Sequence, residues 1–309
     1  MRAVTVSEFG APPVVRDGVP EPVAGPGQVL VRVRASSVNW LDADVAHGMF
    51  TDMAPHRLPV TLGRDFAGIV VAAGEGVRTV EVGDEVFGAV PMMGRPVHEG
   101  AWAEFIATGE HTLISKPAVI DIATAGVAAL AATTAVMTVD ALDLAPGDTV
   151  LVIGATGGVG GIAVQLARAA GATVLAPGLP EDEEYLRGLG VSEVLPRGDD
   201  VIAAVRKDHP GGVDALLDAV TAYEITPFMD VVRDGGRIAS PTDAAGYGPG
   251  RTNITHGPCT EILGRVARHL VDGTITISIQ QSYDLTDAPK ALEALTLHHT
   301  RGKIAVRVA

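Results

Sequence analysis

Gly154, Gly157, Gly158, Gly160 and Gly161 follow directly on the apolar run Val150-Leu-Val-Ile153. Glycines at this spacing suit one kind of chemistry. A glycine that closes a strand permits a tight turn and a positive φ. Positions without side chains let a pyrophosphate approach the backbone, and a glycine in the first helical turn lets that helix lie close to the sheet. The unpaired amides at the helix start, assisted by the helix dipole, then hold the phosphates. Ala163, Ala167 and Ala170 continue the small-residue pattern. No Gly-Lys-Ser/Thr follows, which speaks against a nucleoside-triphosphate loop. The expectation is a dinucleotide cofactor, and with it redox chemistry. Any tight strand-to-helix turn can use glycines, so the elements around the turn must carry part of the argument.

The choice of cofactor turns on the next strand. An acid at its end grips the ribose 2′-hydroxyl of NAD, and a base there grips the 2′-phosphate of NADP. That strand reads as Thr173 to Ala176, followed by Pro177-Gly-Leu-Pro-Glu-Asp-Glu-Glu184. No Asp ends the strand, the loop holds no Lys or Arg, and Arg187 is the nearest base downstream. The four acids are expected to form the solvated first turn of a helix, where negative charge is favourable. These residues leave NAD and NADP both open.

The elements that position the turn read as an α/β chain. Its 309 residues suggest one large or two ordinary domains. Hydrophobic residues at 47% supply a core, and charged residues at 19% leave little room for long disordered tracts. Up to about residue 118, short strands punctuated by Gly, Pro and Asp predict a β-rich barrel, with a long loop from Asp42 to Pro59. Asp121 to Leu142 reads as one or two helices. Strands then alternate with helices: strands at 149–153, 173–176, 193–195, 213–217 and 237–239, helices at 158–170, 181–189, 200–208 and 224–232. Such alternation predicts a Rossmann-type, doubly wound parallel sheet. A further helix is expected at 261–272, and a last strand at 302–308 that returns to the first domain.

A net charge of −14 argues against nucleic acid and anionic membrane as partners. Cys259 is the only cysteine, which rules out an intrachain disulfide and a thiolate-rich metal site. It follows Gly257-Pro258 and reads as a partly buried thiol without a catalytic role. The N-terminus lacks the apolar core of a signal peptide. No uninterrupted apolar window is expected to reach membrane-spanning length. The expectation is a soluble cytoplasmic protein.

The chain resembles the medium-chain dehydrogenase/reductase superfamily, and within it the zinc-free quinone oxidoreductase branch related to zeta-crystallin. The resemblance rests on Ala35-Ser-Ser-Val-Asn39, Leu62-Gly-Arg-Asp-Phe-Ala-Gly-Ile-Val70, Val82-Gly-Asp-Glu-Val-Phe-Gly88 and Gly100-Ala-Trp-Ala-Glu104. It continues through Ala131-Ala-Thr-Thr-Ala135, the glycine turn and His299-Thr-Arg-Gly-Lys-Ile304. It implies a GroES-like barrel domain at 1–119 and 251–309 and a Rossmann domain at 120–250. It also implies NADPH as cofactor, with NAD not excluded, a small-molecule substrate (a quinone, an enone or another activated alkene), and a homodimer. Asn39 matches an asparagine near the nicotinamide ribose, and Thr134 a threonine at the nicotinamide end. Gly157, Gly158, Val159 and Gly160 match the pyrophosphate turn, and Gly154 just after the strand is a further cofactor-binding candidate. The chain departs from the branch at Trp40, at Ala132-Thr-Thr-Ala135, and at Pro177, Gly178 and Pro180, where small polar or basic residues are usual.

No metal is expected. Arg64 and Asp65 stand where zinc-dependent relatives look to have histidine and glutamate, and His47, His56, His98 and His111 lack compact ligand spacing. Asn39, Asp42, Arg64 and Asp65, with His47, are the polar candidates for a catalytic role. For Arg64 and Asp65 a structural ion pair competes with that role, and for Asp42 the N-cap of a helix starting near Ala43 does. Trp40, Phe50 and Met53, with Met49, either line an apolar substrate wall or pack in the core. Lys303 is a candidate cofactor-side base, or a solvated charge before the last strand. No tyrosine precedes Tyr185, which disfavours an enoyl-thioester reductase that draws on a tyrosine of the first segment. Three readings stand: a quinone or enone reductase, an enoyl-thioester or polyketide-pathway reductase, and a nicotinamide-binding sensor or structural protein with little catalysis.

Overall fold

The computed structural model describes residues 1–92, 97–198, 200–255, 257 and 259–308. The chain divides into two compact units. The first comprises Met1–Leu130, Gly257–Val271 and Ile277–Ala309, the second Ala131–His256 and Asp272–Thr276. The first division falls at residue 130, inside a helix, rather than at the expected 119. The short return at Asp272–Thr276 is tied to the second unit by Gln165, whose amide donates to the Thr276 carbonyl at 2.9 Å and accepts from the Thr276 N–H at 2.8 Å.

In the first unit the strands are β1 (Ala3–Val6), β2 (Val14–Arg16), β3 (Gln28–Val38), β4 (Val60–Thr61), β5 (Asp65–Ala73), β6 (Glu85–Ala89), β7 (Phe105–Gly109) and β8 (Leu113–Ser115). The C-terminal β15 (Ile279–Asp284) and β16 (Lys303–Arg307) join them. The main sheet runs β15-β16-β3-β5-β6-β8, with β7 also paired to β3, and a small sheet runs β2-β1-β4. The hub is β3, whose long alternation lets one end pair with β7 and the other with β16. The antiparallel register Ala305↔Ser37 brings the last strand back to the first unit, as its sequence suggested. Val4, Val38, Leu62, Trp102, Leu292 and Ile304 share a buried core there.

The stretch expected to be a loop from Asp42 begins instead with helix α1 (Trp40–His47). Its N-cap is Asn39, and Asp42 occupies the third helical position, where its carboxylate accepts from the Asn39 N–H at 2.8 Å. Only the reciprocal half of a capping box is made, since the Asp42 N–H donates to the Asn39 backbone carbonyl at 2.9 Å rather than to its side chain, so the helix starts three residues before the point at which Asp42 would cap it. Gly48 ends it with φ +75°, and a side chain there would strike the Phe9 ring at 2.8 Å.

A single helix, α2 (Ile122–Leu142), follows the barrel strands. No charged residue interrupts Ile122 to Val139. This corrects the expectation about apolar windows: α2 is long and apolar enough to cross a membrane by length and composition. It is mostly buried within the protein, with Ala125, Val127, Ala128, Ala132 and Val136 inside, which is equally the signature of a core helix.

The second unit holds β9 (Thr149–Ile153), α3 (Gly158–Ala169), β10 (Thr173–Gly178), α4 (Glu183–Leu189), β11 (Glu193–Pro196) and α5 (Val201–Asp208). It continues with β12 (Val213–Asp218), β13 (Val232–Ser240) and β14 (Arg251–Asn253). All strand pairs are parallel, in the order β11-β10-β9-β12-β13-β14, the doubly wound Rossmann arrangement. β9 is almost wholly apolar because both faces of a central parallel strand are buried. The helix expected at 224–232 does not form. Pro227 lacks an amide, Tyr223 adopts φ +61°, and the Thr226 hydroxyl is drawn to Asp218, so only a 3₁₀ turn at Met229–Val231 precedes β13. Helix α6 (Thr260–Val271) and helix α7 (Ala288–Leu297) belong to the first unit. Cys259 is exposed rather than partly buried, and Pro258 lies outside the described residues.

Candidate functional site

The strand order of the second unit reverses beside β9, with β10 on one side and β12 on the other. Ligands of open α/β sheets bind at the carboxyl ends of strands at such a switch point. The glycine turn lies there. Gly154 leaves β9 with φ +87°, a conformation that favours glycine. Gly157 donates to the Gly154 carbonyl at 3.0 Å and is the N-cap of α3. The amides of Gly158, Val159 and Gly160 begin the helix without a protein acceptor among the described residues, as the first turn of any helix must.

The glycines have different reasons to be glycine. A Cβ on Gly160 would lie 2.2 Å from the Gly154 carbonyl oxygen, so the fold itself requires glycine at that point. A Cβ on Gly157 would meet only that same oxygen, at 3.4 Å, an ordinary contact, and its φ of −80° suits any residue. The protein's own packing gives no reason for glycine at 157. A ligand that approaches the backbone does, and the turn fits a pyrophosphate.

Other groups frame this end of the sheet. Asp218 ends β12 and is buried. Its carboxylate accepts from the Val220 and Thr221 amides, both at 2.9 Å, and from the Thr226 hydroxyl at 2.6 Å. The loop it holds sets Val220 Cγ2 2.7 Å from the point where a Gly154 side chain would start. Neither residue follows from the glycine pattern; an acid closing the fourth strand of the alternation was the available signal. Beyond β10, Asp182 is buried and its carboxylate accepts from the Leu179 N–H at 3.1 Å, which corrects the expectation that all four acids are solvated. Register pairs Pro196 with Gly178, so exposed Arg197 follows β11 at the same level. Thr134 is half-buried in α2, and its carbonyl accepts from the Thr138 hydroxyl at 2.7 Å.

The first unit holds a buried polar network. The Asn39 carboxamide donates to Asp65 Oδ2 at 3.0 Å and to Ser37 Oγ at 3.2 Å, and its oxygen accepts from Lys303 Nζ. Lys303 also donates to the Val38 carbonyl at 3.3 Å and stands 3.6 Å from Asp65 Oδ2. Ser37 donates to the same Asp65 oxygen, and the Leu130 N–H donates to the other. The Asp42 carboxylate accepts from the Asn39 and Gly63 amides. Burial pushes its pKa up to about 6, against the pull of the Arg64 guanidinium. Arg64 donates to the Thr61 and Glu99 carbonyls at 3.3 Å. Burial pushes the Lys303 ammonium down, against Asp65 and Asp42.

This geometry corrects several expectations. Asp42, Arg64 and Asp65 are buried and engaged with protein groups, so they form the barrel's internal framework rather than a set of groups open to a reacting atom. Lys303 is 5% exposed, so it is not a solvated charge; its ammonium is turned to Asn39, Val38 and Asp65. Of the expected apolar wall, Phe50 packs against the core, while Trp40 and Met53 are 58% and 66% exposed.

Two family models match the chain: the alcohol dehydrogenase GroES-like domain at residues 25–118 and the zinc-binding dehydrogenase at residues 158–246. The phthioceranic/hydroxyphthioceranic acid synthase of Mycobacterium tuberculosis is 32% identical over 308 residues, which is 92% of this chain but only 14% of that much longer protein. The quinone oxidoreductase of Lama guanicoe is 32% identical, covering 77% of this chain and 72% of its own. Among solved structures, the quinone oxidoreductase from Coxiella burnetii superimposes with a TM-score of 0.88 at 27% identity, over 100% of this chain and 99% of that one. Among the described residues no group of three His, Cys, Asp or Glu side chains is arranged to hold a metal, and no cysteine precedes Cys259 in the sequence. With a GroES-like barrel, a Rossmann sheet and these relatives, the chain belongs to the medium-chain dehydrogenase/reductase superfamily, in its quinone oxidoreductase branch.

Proposed function

We propose that this protein is a nicotinamide-dependent reductase that delivers hydride to a quinone or an activated alkene without zinc. The observation that carries this reading is Gly157, a glycine the fold does not need, at the N-cap of a helix whose first amides lack protein acceptors. The amides of Gly158, Val159 and Gly160 hold the pyrophosphate, and Gly154 and Gly160 let α3 start close enough to β9 to aim them. A bound reduced nicotinamide supplies the hydride. Asn39 and Thr134 contact the nicotinamide end in this reading. Exposed Arg197 supplies a positive charge suited to a 2′-phosphate at the level where β10 ends, which favours NADPH over NADH. The free edge of β14 offers backbone groups for two-fold pairing of a homodimer.

A second reading has its own support. The similarity to the phthioceranic/hydroxyphthioceranic acid synthase spans 92% of this chain and favours an enoyl thioester as the alkene. One experiment tests both. Fluorescence titration with NADPH and NADH measures binding, and loss of reduced-nicotinamide absorbance is followed with quinones, enones and enoyl thioesters. Saturable binding with turnover of one class supports the proposal and selects the substrate. Absence of binding to either nucleotide overturns it.

A further inference from the structure

The carboxamide of Asn39 is gripped at both ends. Its oxygen accepts from Lys303 Nζ, and its two N–H groups donate to Asp65 Oδ2 and Ser37 Oγ. An ammonium only donates and a carboxylate only accepts. Lys303 and Asp65 therefore permit one orientation of this amide and forbid the flipped one. The three Lys303 protons face Asn39, Val38 and Asp65, and both Asp65 oxygens accept from the protein. Both are buried, whereas Asn39 is half-buried. What remains on the Asn39 side chain is the second lone pair of Oδ1.

We propose that Lys303 and Asp65 are positioning residues that lock Asn39 as a pure hydrogen-bond acceptor, so that it recognises a donor group of the cofactor. This rests on the reading that the chain binds a reduced nicotinamide dinucleotide in contact with Asn39. Phosphate oxygens only accept and are refused by this arrangement. The donors such a cofactor offers are its ribose hydroxyls and the nicotinamide carboxamide. A flipped amide would present N–H to the same donor and lose the contact, so the lock, and not merely the presence of asparagine, sets affinity.

The test is a double-mutant cycle with NADPH as the probe. Dissociation constants come from fluorescence titration, KM and kcat from turnover, and melting temperatures are recorded for each variant. Asn39→Ala and Lys303→Met are each expected to weaken NADPH binding about tenfold, with KM raised more than kcat falls. Combined, they weaken binding no more than Asn39→Ala alone, because the lysine acts through the asparagine. Lys303→Met leaves the Asp65 charge unpaired, so Lys303→Met/Asp65→Asn removes both charges and is expected to show the same loss of affinity with a smaller fall in melting temperature. Repeating the cycle with the reduced 3-acetylpyridine analogue, which lacks the carboxamide N–H, separates the donors: an unchanged coupling assigns a hydroxyl, and a lost coupling assigns the carboxamide. Binding weakened by Asn39→Ala but indifferent to Lys303→Met, or fully additive effects, would overturn the lock alone. A wild-type protein that binds neither NADPH nor NADH would overturn the functional reading and the lock with it.

Discussion

Gly160 lies so close to Gly154 that a side-chain carbon on it would sit 2.2 Å from the Gly154 carbonyl oxygen. Gly157, three residues earlier, has room for a methyl group. The two alanine variants should therefore separate fold from function. Gly160→Ala is expected to cost about 1–3 kcal/mol of stability through overpacking of backbone against backbone. Gly157→Ala is expected to leave the melting temperature nearly unchanged while NADPH affinity falls about tenfold or more, since the methyl group occupies the space the pyrophosphate needs. Thermal melts and fluorescence titrations on the two variants check this. A Gly157→Ala protein with normal affinity would remove the ligand-based reason for glycine there.

Arg197 offers a second separation. It follows Pro196, which pairs in register with Gly178 at the end of β10, and the β10 loop brings only acids. Arg197→Ala should raise the NADPH dissociation constant about tenfold and leave that of NADH unchanged, because only one of the two nucleotides carries the 2′-phosphate. Equal effects on both nucleotides would show that the arginine does not read the phosphate.

Much of the scaffold was legible because its signals are local. The apolar run of β9, the glycines and the small residues of α3 lie side by side in the chain, and the elements begin where those residues predict. The return of the last strand was legible as a strand, but its partners were not: only the pairing of β16 on β3 brings Lys303 to Asn39, far away in sequence. The start of helix α1 was misplaced by three residues because Asp42 was weighed as its N-cap, when Asn39 is the N-cap and the Asp42 carboxylate reaches back to the Asn39 amide. Glu224 to Val232 has helical composition, yet Asp218 and Thr226 bind each other and hold the chain in a loop. The roles of Asp42, Arg64 and Asp65 depended on burial, which composition does not reveal for single charged residues.

Asp42 gives the protein a titration of unusual sign. Its pKa is about 6 in the folded chain, against an ordinary value of 3.8, because burial disfavours the carboxylate more than Arg64 favours it. Between those values the folded state holds a proton that the unfolded state has lost. Its contribution to stability is therefore full below pH 3.8 and declines as pH rises through 6, by up to about 3 kcal/mol. Ordinary paired carboxylates slope the other way, so the effect is read as a difference. The stability of the wild type minus that of Asp42→Asn, from urea denaturation between pH 4 and about 7.5, should fall with rising pH. A flat or rising difference would show that Asp42 is ionised throughout.

The loop after β12 depends on a single carboxylate. Asp218 accepts three hydrogen bonds, from the Val220 and Thr221 amides and the Thr226 hydroxyl, and it is buried. Asp218→Ala leaves those donors without their acceptor and should cost at least about 2 kcal/mol. Asp218→Asn keeps an oxygen for the amides and offers an N–H to the Thr226 hydroxyl, which can accept it, so its cost should be distinctly smaller. Because the same loop carries Val220 onto Gly154, the alanine variant should also weaken NADPH binding while the asparagine variant largely keeps it. Urea denaturation and nucleotide titration on the pair give both readouts. Equal losses in Asn and Ala variants would mean that the negative charge, rather than the hydrogen bonds, is what this position supplies; a loss of stability without a change in affinity would detach the loop from the glycine turn.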